Sequence, residues 1–368
     1  MNRIAIKPQW LLRDEGNGPH LQLPHLLNLL TAVREQQSLT KACRAAGLSY
    51  RHAWGLIKDA TRIFGVPLMQ LTRGQGARLT ALGEKLVWAD KRINARLAPM
   101  LENVASELET EIERARTNSK AVLRIHASHG YAVGALRDFL NQRSTAVDLQ
   151  FCRSVDSLAS LGESNCELAG FHIPLGSLQA PLLKQHAPWL NPKTQTLINV
   201  ITRRQGIMVA RGNPKKIAKL ADLTRSNVRY VNRQRGSGTR IILELLLEKE
   251  KVDARKIVGY ETAEFTHDAV AAHIASGMAD AGMGVEVGAR KFNLDFVPLV
   301  SERYFLACRK DNLASPAIKD VIAVLSSSEF KAFINNYHGL DSATSGKVIS
   351  IKEAFPAFSP RAKRGPRR

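Results

Sequence analysis

Between Leu26 and Gln36 the apolar residues Leu26, Leu27, Leu29, Leu30 and Val33 recur at helical spacing, which predicts a helix with one buried face, opened by Pro24. Ser38 then reads as the N-cap of a short helix stopped by Gly47, and Ser49 as the cap of a longer helix reaching about Phe64. The stretch Pro67 to Thr80 has the character of two short strands around a glycine turn, with Arg73 and Arg78 flanking it. From Thr80 to about Arg116 an apolar series (Leu82, Leu86, Ile93, Leu97, Leu101, Val104, Leu108, Ile112) predicts one long amphipathic helix, which Pro99 is expected to kink or divide. After a short linker at 117–120 the pattern changes to alternating strand and helix: "AVLRIHAS" then "GYAVGALRDFLN", "VDLQFC" then "VDSLASLG". Such alternation predicts parallel sheets with helical crossovers, an α/β domain behind an α+β head.

Helix, helix, tight turn, helix and a hairpin is the order of a winged helix-turn-helix. Its third helix would place Ser49, Tyr50, Arg51, His52, Trp54 and Lys58 at a major groove, with Arg73 and Arg78 of the wing along the backbone. A three-helix domain with a merely solvated charged face is the plainer alternative. Charge shifts the balance: 53 Lys and Arg against 33 Asp and Glu give +20 over 368 residues, which favours polyanion partners, nucleic acid such as double-stranded operator DNA first, with an anionic membrane surface left open by composition alone. No apolar run is long enough to span a bilayer and the start lacks a signal-peptide core, so the expected compartment is the cytoplasm, with no membrane partner. Cys43, Cys152, Cys166 and Cys308 lack the close spacing of a metal site or a disulfide framework.

Small polar clusters fall at the strand ends of the second half. Ser128 and His129 follow the first strand, Ser157 lies after the second, and His172 after a third. Asn232, Arg235, Gly236, Ser237, Gly238 and Thr239 lie in "VNRQRGSGTR" before a leucine-rich helix, and His267 stands at another helix start. Backbone N–H groups at helix N-termini, with hydroxyls and arginine, suit an oxyanion. Singly, each serine is more often a helix cap and each histidine a satisfied structural group; Arg233, Arg235 and Arg240 cannot all enter one small pocket, so at least one is expected to pair internally or face solvent. Catalysis is not expected: there is no G-x-S-x-G elbow, H-E-x-x-H or Walker loop, and neither catalytic residues, metal ligands nor a bound cofactor are assigned.

The segments "SLTKACRAAGLSYRHAW" and "GVPLMQLTRGQGARLTALGEKL" resemble the winged helix-turn-helix of ModE-type molybdate-responsive regulators and, more distantly, of LysR-type regulators, with a shortened wing tip. "AGFHIP", "RRQGIMVARGNP", "YVNRQRGSGTR" and "HDAVAAHIASGMADAGMGVEVGA" resemble a periplasmic-binding-protein-like domain of the molybdate-binding kind. The resemblance implies a type II fold of two α/β lobes, crossed near Leu197 to Arg204 with a return after Phe296 to Leu306. It also implies an oxyanion effector, molybdate or tungstate. Where relatives read G-S-H-D this chain has Ala127-Ser128-His129-Gly130, which opens the alternatives of formate, a molybdenum-cofactor-like ligand, or a ligand-free scaffold. The expected organisation is a DNA-binding domain at 1–82, a connecting and dimerising helix at 83–119, a sensing domain at 120–345, and a basic, disordered tail at 346–368. A homodimer would match two half-sites on a duplex.

Overall fold

The computed structural model describes residues 4–11, 23–72, 76–117 and 122–358. The chain divides into two compact units, Lys7–Leu97 and Ala98–Arg368, the latter with Met1–Ile6. In the first, α1 (Leu23–Gln36), α2 (Leu39–Ala45) and α3 (Tyr50–Phe64) follow the expected order, and the hairpin β1 (Met69–Thr72) and β2 (Gly76–Leu79) forms the wing. Ser38 accepts a hydrogen bond from the Lys41 amide and Ser49 one from the His52 amide, which satisfies orphan donors at both helix starts. Leu29, Val33, Ala42, Ala53 and Ile57 close one core around these caps. The wing is stitched to the end of α1: the Ala77 amide donates to the Gln37 carbonyl at 3.0 Å. Gly76 there has φ +82°, and a Cβ would lie 2.2 Å from that carbonyl oxygen, so only glycine fits. Arg73 lies outside the described residues. The long helix α4 (Ala81–Thr117) is assigned without interruption through Pro99, contrary to a division of the helix, although the boundary between the two units falls just before that proline.

The second unit runs β3 (Leu123–Ala127), α5 (Tyr131–Gln142), β4 (Val147–Phe151), α6 (Ser154–Gly162), β5 (Leu168–Pro174), α7 (Gln179–His186) and β6 (Gln195–Val209). It continues with β7 (Tyr230–Arg233), α8 (Gly238–Lys249), β8 (Ala263–Glu264), α9 (His267–Ala275), β9 (Ala281–Val285), α10 (Glu286–Lys291) and β10 (Asp295–Arg309). It ends with α11 (Pro316–Ser326), α12 (Ser328–Asn335), β11 (Leu340–Asp341), β12 (Val348–Ser350) and α13 (Ile351–Ala354). One sheet has the order β4-β3-β5-β10-β6-β9-β7-β8, with β11 and β12 also pairing β6. It is mixed rather than wholly parallel. The pairs β3–β4, β3–β5, β7–β8 and β7–β9 are parallel, while β6 and β10, each of 15 residues, run antiparallel through the middle.

Those two strands make two lobes from one sheet. Their alternation puts Ile198, Val200, Tyr304 and Leu306 into a core under α5 and α11, and Leu197, Phe305 and Ala307 into a core on the other face. In the second lobe Ile207 and Val209 pack beneath α8, and Met208 packs beneath α9. The crossing expected near Leu197 to Arg204, with its return near Phe296 to Leu306, is therefore present as paired strands.

The edge of β4 is covered by side chains of α4. Asn103 accepts from the Phe151 amide at 2.7 Å and donates to its carbonyl at 3.1 Å, and Ser106 accepts from the Leu149 amide at 2.8 Å. An exposed strand edge is thus closed by a helix, and α4 beyond Leu97 is part of the second unit rather than a free connector.

The tail expected at 346–368 is corrected for residues 346–358. Residues 346–358 are built into the fold: β12 pairs β6, and Ile351 and Phe355 are buried in the core with Phe171 and Phe305. Only the basic stretch from 359 onward lies outside the described residues. Phe355→Ala should lower the unfolding free energy in urea by about 3–5 kcal/mol; a loss below about 1 kcal/mol would show the segment to be peripheral.

Candidate functional site

Two surfaces gather the candidate residues. On α3, Ala53, Leu56, Ile57 and Ala60 are buried while Tyr50, Arg51, His52, Trp54 and Lys58 are exposed, as the amphipathic pattern requires. Tyr50 and Trp54 touch edge to face with centroids 6.3 Å apart. Arg78 is exposed on β2. Ser49 spends its hydroxyl oxygen on the cap of α3.

The second surface lies between the lobes, where side chains from β3, β5, β6, β7, β10 and α9 converge. His172 stands in the middle of β5, not after it, opposite Tyr304 of β10; their rings stack at 4.0 Å with 6° between planes. Gly170 makes room for this stack, since a Cβ there would meet the Tyr304 hydroxyl at 2.2 Å. Ser128 Oγ lies 3.0 Å from His172 Nδ1 and fixes that ring from the end of β3. On β6 the period-2 alternation turns Ile201, Arg203 and Gln205 to one face and Arg204 to the other. Arg203 Nε and Gln205 Nε2 both donate to Glu302, the latter at 2.7 Å. Arg233, at the end of β7, donates to the Phe265 carbonyl at 2.8 Å. His267 opens α9 behind its Thr266 cap.

A cavity of about 10 Å³, room for roughly one water, is lined by Gly130, Tyr131, His172, Arg203, Val285 and Tyr304. The two lobes are held together beside it: Tyr131 of α5 donates its hydroxyl to Asp268 of α9, which also binds Lys291 at 2.6 Å. A ligand larger than water fits this cavity only with a shift of the side chains or lobes around it.

Charge in this crevice is unbalanced. Burial, then Arg203, His186 and Arg233, hold His172 well below the ordinary imidazole range, and burial, then Arg233 and Arg203, do the same to His267. Burial and Arg203 push the Arg233 guanidinium down to about 10, which leaves it cationic at neutral pH. Two guanidiniums thus face one carboxylate, Glu302, with two neutral imidazoles beside them. His172 Nε2, His267 Nδ1 and Gln205 Oε1 are buried without a hydrogen-bond partner among the described residues.

Ser128, His172 and His267 are therefore brought together as expected, and the other candidates are not. His129 turns away, its ring against Phe151 and its Nε2 3.6 Å from Glu102 of α4. Ser157 is fully buried and donates to the carbonyls of Ser154 and Gly170, a structural role. Asn232 binds the Tyr260 carbonyl and the Arg233 amide. Arg235 is 79% exposed and pairs with Glu261, too solvated to serve the crevice. Gly236 supplies a turn at φ +79° beside Arg153, Ser237 caps α8, Gly238 begins it, and Thr239 is buried within it. Arg240 is the internal arginine, bound to Glu244 and Glu261. The glycines Gly282 and Gly284 lie inside β9. Sequence reasoning missed Arg203, Tyr304 and Glu302, whose places are set by the cross-strand register of two long strands.

Both histidines have folded-state values below the unfolded one, so their stability contribution is complete above about pH 6.5 and is lost as pH falls. Between pH 7.5 and 5.5 the unfolding free energy should drop, by at most about 1.4 kcal/mol per pH unit for each histidine below the unfolded value. Urea titrations of His172→Gln/His267→Gln should show a flatter profile; an unchanged slope would place the pH dependence elsewhere.

Residues 24–84 match the family of bacterial regulatory helix-turn-helix proteins, lysR family, and residues 137–326 match the PBP superfamily domain. The chain is 34% identical over 199 residues to the uncharacterized protein YvgK of Bacillus subtilis, covering 53% of this chain and 63% of that protein. It is 33% identical over 84 residues to the molybdenum-pterin-binding protein MopB of Rhodobacter capsulatus, covering 22% of this chain and 31% of that one. Among solved structures, full-length BenM is 15% identical with a TM-score of 0.43, covering 86% of this chain and 98% of its own. With more than half of its length in that match, the chain belongs to the PBP superfamily, its domain joined to a helix-turn-helix of the lysR type.

Proposed function

We propose that the protein is a ligand-responsive, DNA-binding transcriptional regulator, not an enzyme, whose effector is a small oxyanion held between the lobes. The observation that carries the effector reading is the pair of guanidiniums, Arg203 and Arg233, facing a single buried carboxylate beside the orphaned nitrogens of His172 and His267. An anion there relieves the repulsion between the arginines and accepts hydrogen bonds from groups on both lobes, so it favours the closed form by the difference in its affinity for the two states. Molybdate or tungstate is the named candidate, supported by the likeness to MopB, whose name states a molybdenum-pterin ligand. Formate and molybdenum-cofactor-like ligands present anionic oxygens to the same groups.

The DNA reading rests on the lysR-type match and on the exposed basic face of α3. Coupling would run through α4, because Asn103, Ser106 and Glu102 bind the β4 edge and His129, next to Ser128 of the crevice. Reciprocity then requires operator DNA to change effector affinity by the factor that effector changes DNA affinity. A homodimer is supported by the stripe Met100, Val104, Leu108 and Ile112 on α4, spaced every four residues and 39–64% exposed.

In a thermal-shift screen with molybdate, tungstate, sulfate, phosphate and formate, at least one anion at about 100 times its Kd should stabilise the protein by about 2.7 kcal/mol. Arg233→Gln should abolish the shift, and Arg235→Ala should retain it. Arg51→Ala should keep the anion response while weakening operator binding. No shift with any of these anions, in a folded sample, favours a ligand-free scaffold. Val104→Glu/Leu108→Glu should halve the sedimenting mass from two chains to one; an unchanged mass would remove α4 as the seam.

A further inference from the structure

The outward face of α3 carries an oddity that charge does not explain. Gly55 sits mid-helix on the exposed side, where glycine disfavours the helix relative to alanine. Nothing among the described residues requires it: its φ is not positive, and a Cβ built there meets none of their atoms within 4 Å. At 3.6 residues per turn, Gly55 lies within about 60° of Arg51 and Lys58 on the exposed arc of α3, with Trp54 about 100° from it round the axis and Tyr50 one turn back beside Trp54. On this cationic strip the two aromatic residues keep 50% and 39% of their surface exposed and touch each other edge to face.

We propose that Gly55 is a clearance position that lets α3 lie close against the major groove, and that Tyr50 and Trp54 thereby read thymine 5-methyl groups. The inference rests on the DNA-binding reading and deepens it by naming what the helix discriminates. A major groove presents hydrogen-bonding edges at every base pair but only one apolar feature, the thymine methyl, so exposed aromatic carbon at the groove floor selects thymine. Arg51 and Lys58 on the same strip supply phosphate or guanine contacts, which hold the helix in register without reading the methyl. A methyl at position 55 would stand between helix and groove and lift the aromatic edges away.

The test starts from duplexes enriched by the unaltered full-length protein from a random pool, then resynthesised with deoxyuridine in place of thymine. Removal of the methyls should weaken binding about 10-fold, in the range of one lost base contact. Tyr50→Ala/Trp54→Ala should bind the two versions equally. Gly55→Ala should raise the thermal midpoint of the helix-turn-helix transition by about 4–8 °C while lowering affinity for the enriched site. Equal affinity of the unaltered protein for thymine and deoxyuridine sites, or undiminished binding by Gly55→Ala, overturns the proposal while leaving DNA binding intact. Enrichment of no duplex at all overturns the DNA-binding reading itself, and this one with it.

Discussion

Two guanidiniums, the buried one of Arg203 and the half-buried one of Arg233, beside one buried carboxylate are the constraint around which the second unit is organised. Arg203 is only 7% exposed and Glu302 1%, so their pair is not screened by water and each lost partner is expensive. Arg233 adds a second positive charge without a second carboxylate, and the response of the surroundings is visible in His172 and His267, both kept neutral. The long strands β6 and β10 make this possible. Each belongs to both lobes, and their register places Arg203 opposite Glu302 and Tyr304 opposite His172.

The same crevice has a mechanical connection. Ser128 touches His172 from the end of β3, and the following residue, His129, reaches Glu102 on α4. Two residues of α4 replace a missing strand on the β4 edge with hydrogen bonds to Phe151 and Leu149. The first lobe and the second half of α4 are therefore joined by directed bonds.

Much of the helix-turn-helix was legible because its signals are local. Ser38 and Ser49 cap the helices the text of the chain assigns to them, and Gly65 closes α3 in a left-handed conformation. The two-lobed architecture was legible through family likeness and the strand-helix alternation, but the mixed sheet was not, since strand direction depends on partners far away in the chain. The site was half legible. Residues with conspicuous chemistry near the strand ends, such as Arg235 and Ser157, drew attention that belonged to Arg203 and Tyr304, whose roles arise from cross-strand register. Residues 346–358 misled for a related reason: a short strand and a few apolar anchors beside a basic terminus read as tail until β6 offers them an edge.

The central claim is that an anion binds between the lobes against Arg203 and Arg233. The most direct measurement is the anomalous scattering of tungsten in crystals grown or soaked with tungstate. The account predicts one ordered site in each chain, within hydrogen-bonding distance of both guanidiniums and of His172 Nε2. Ordered tungsten bound only at other surfaces, with this crevice unchanged, would contradict it.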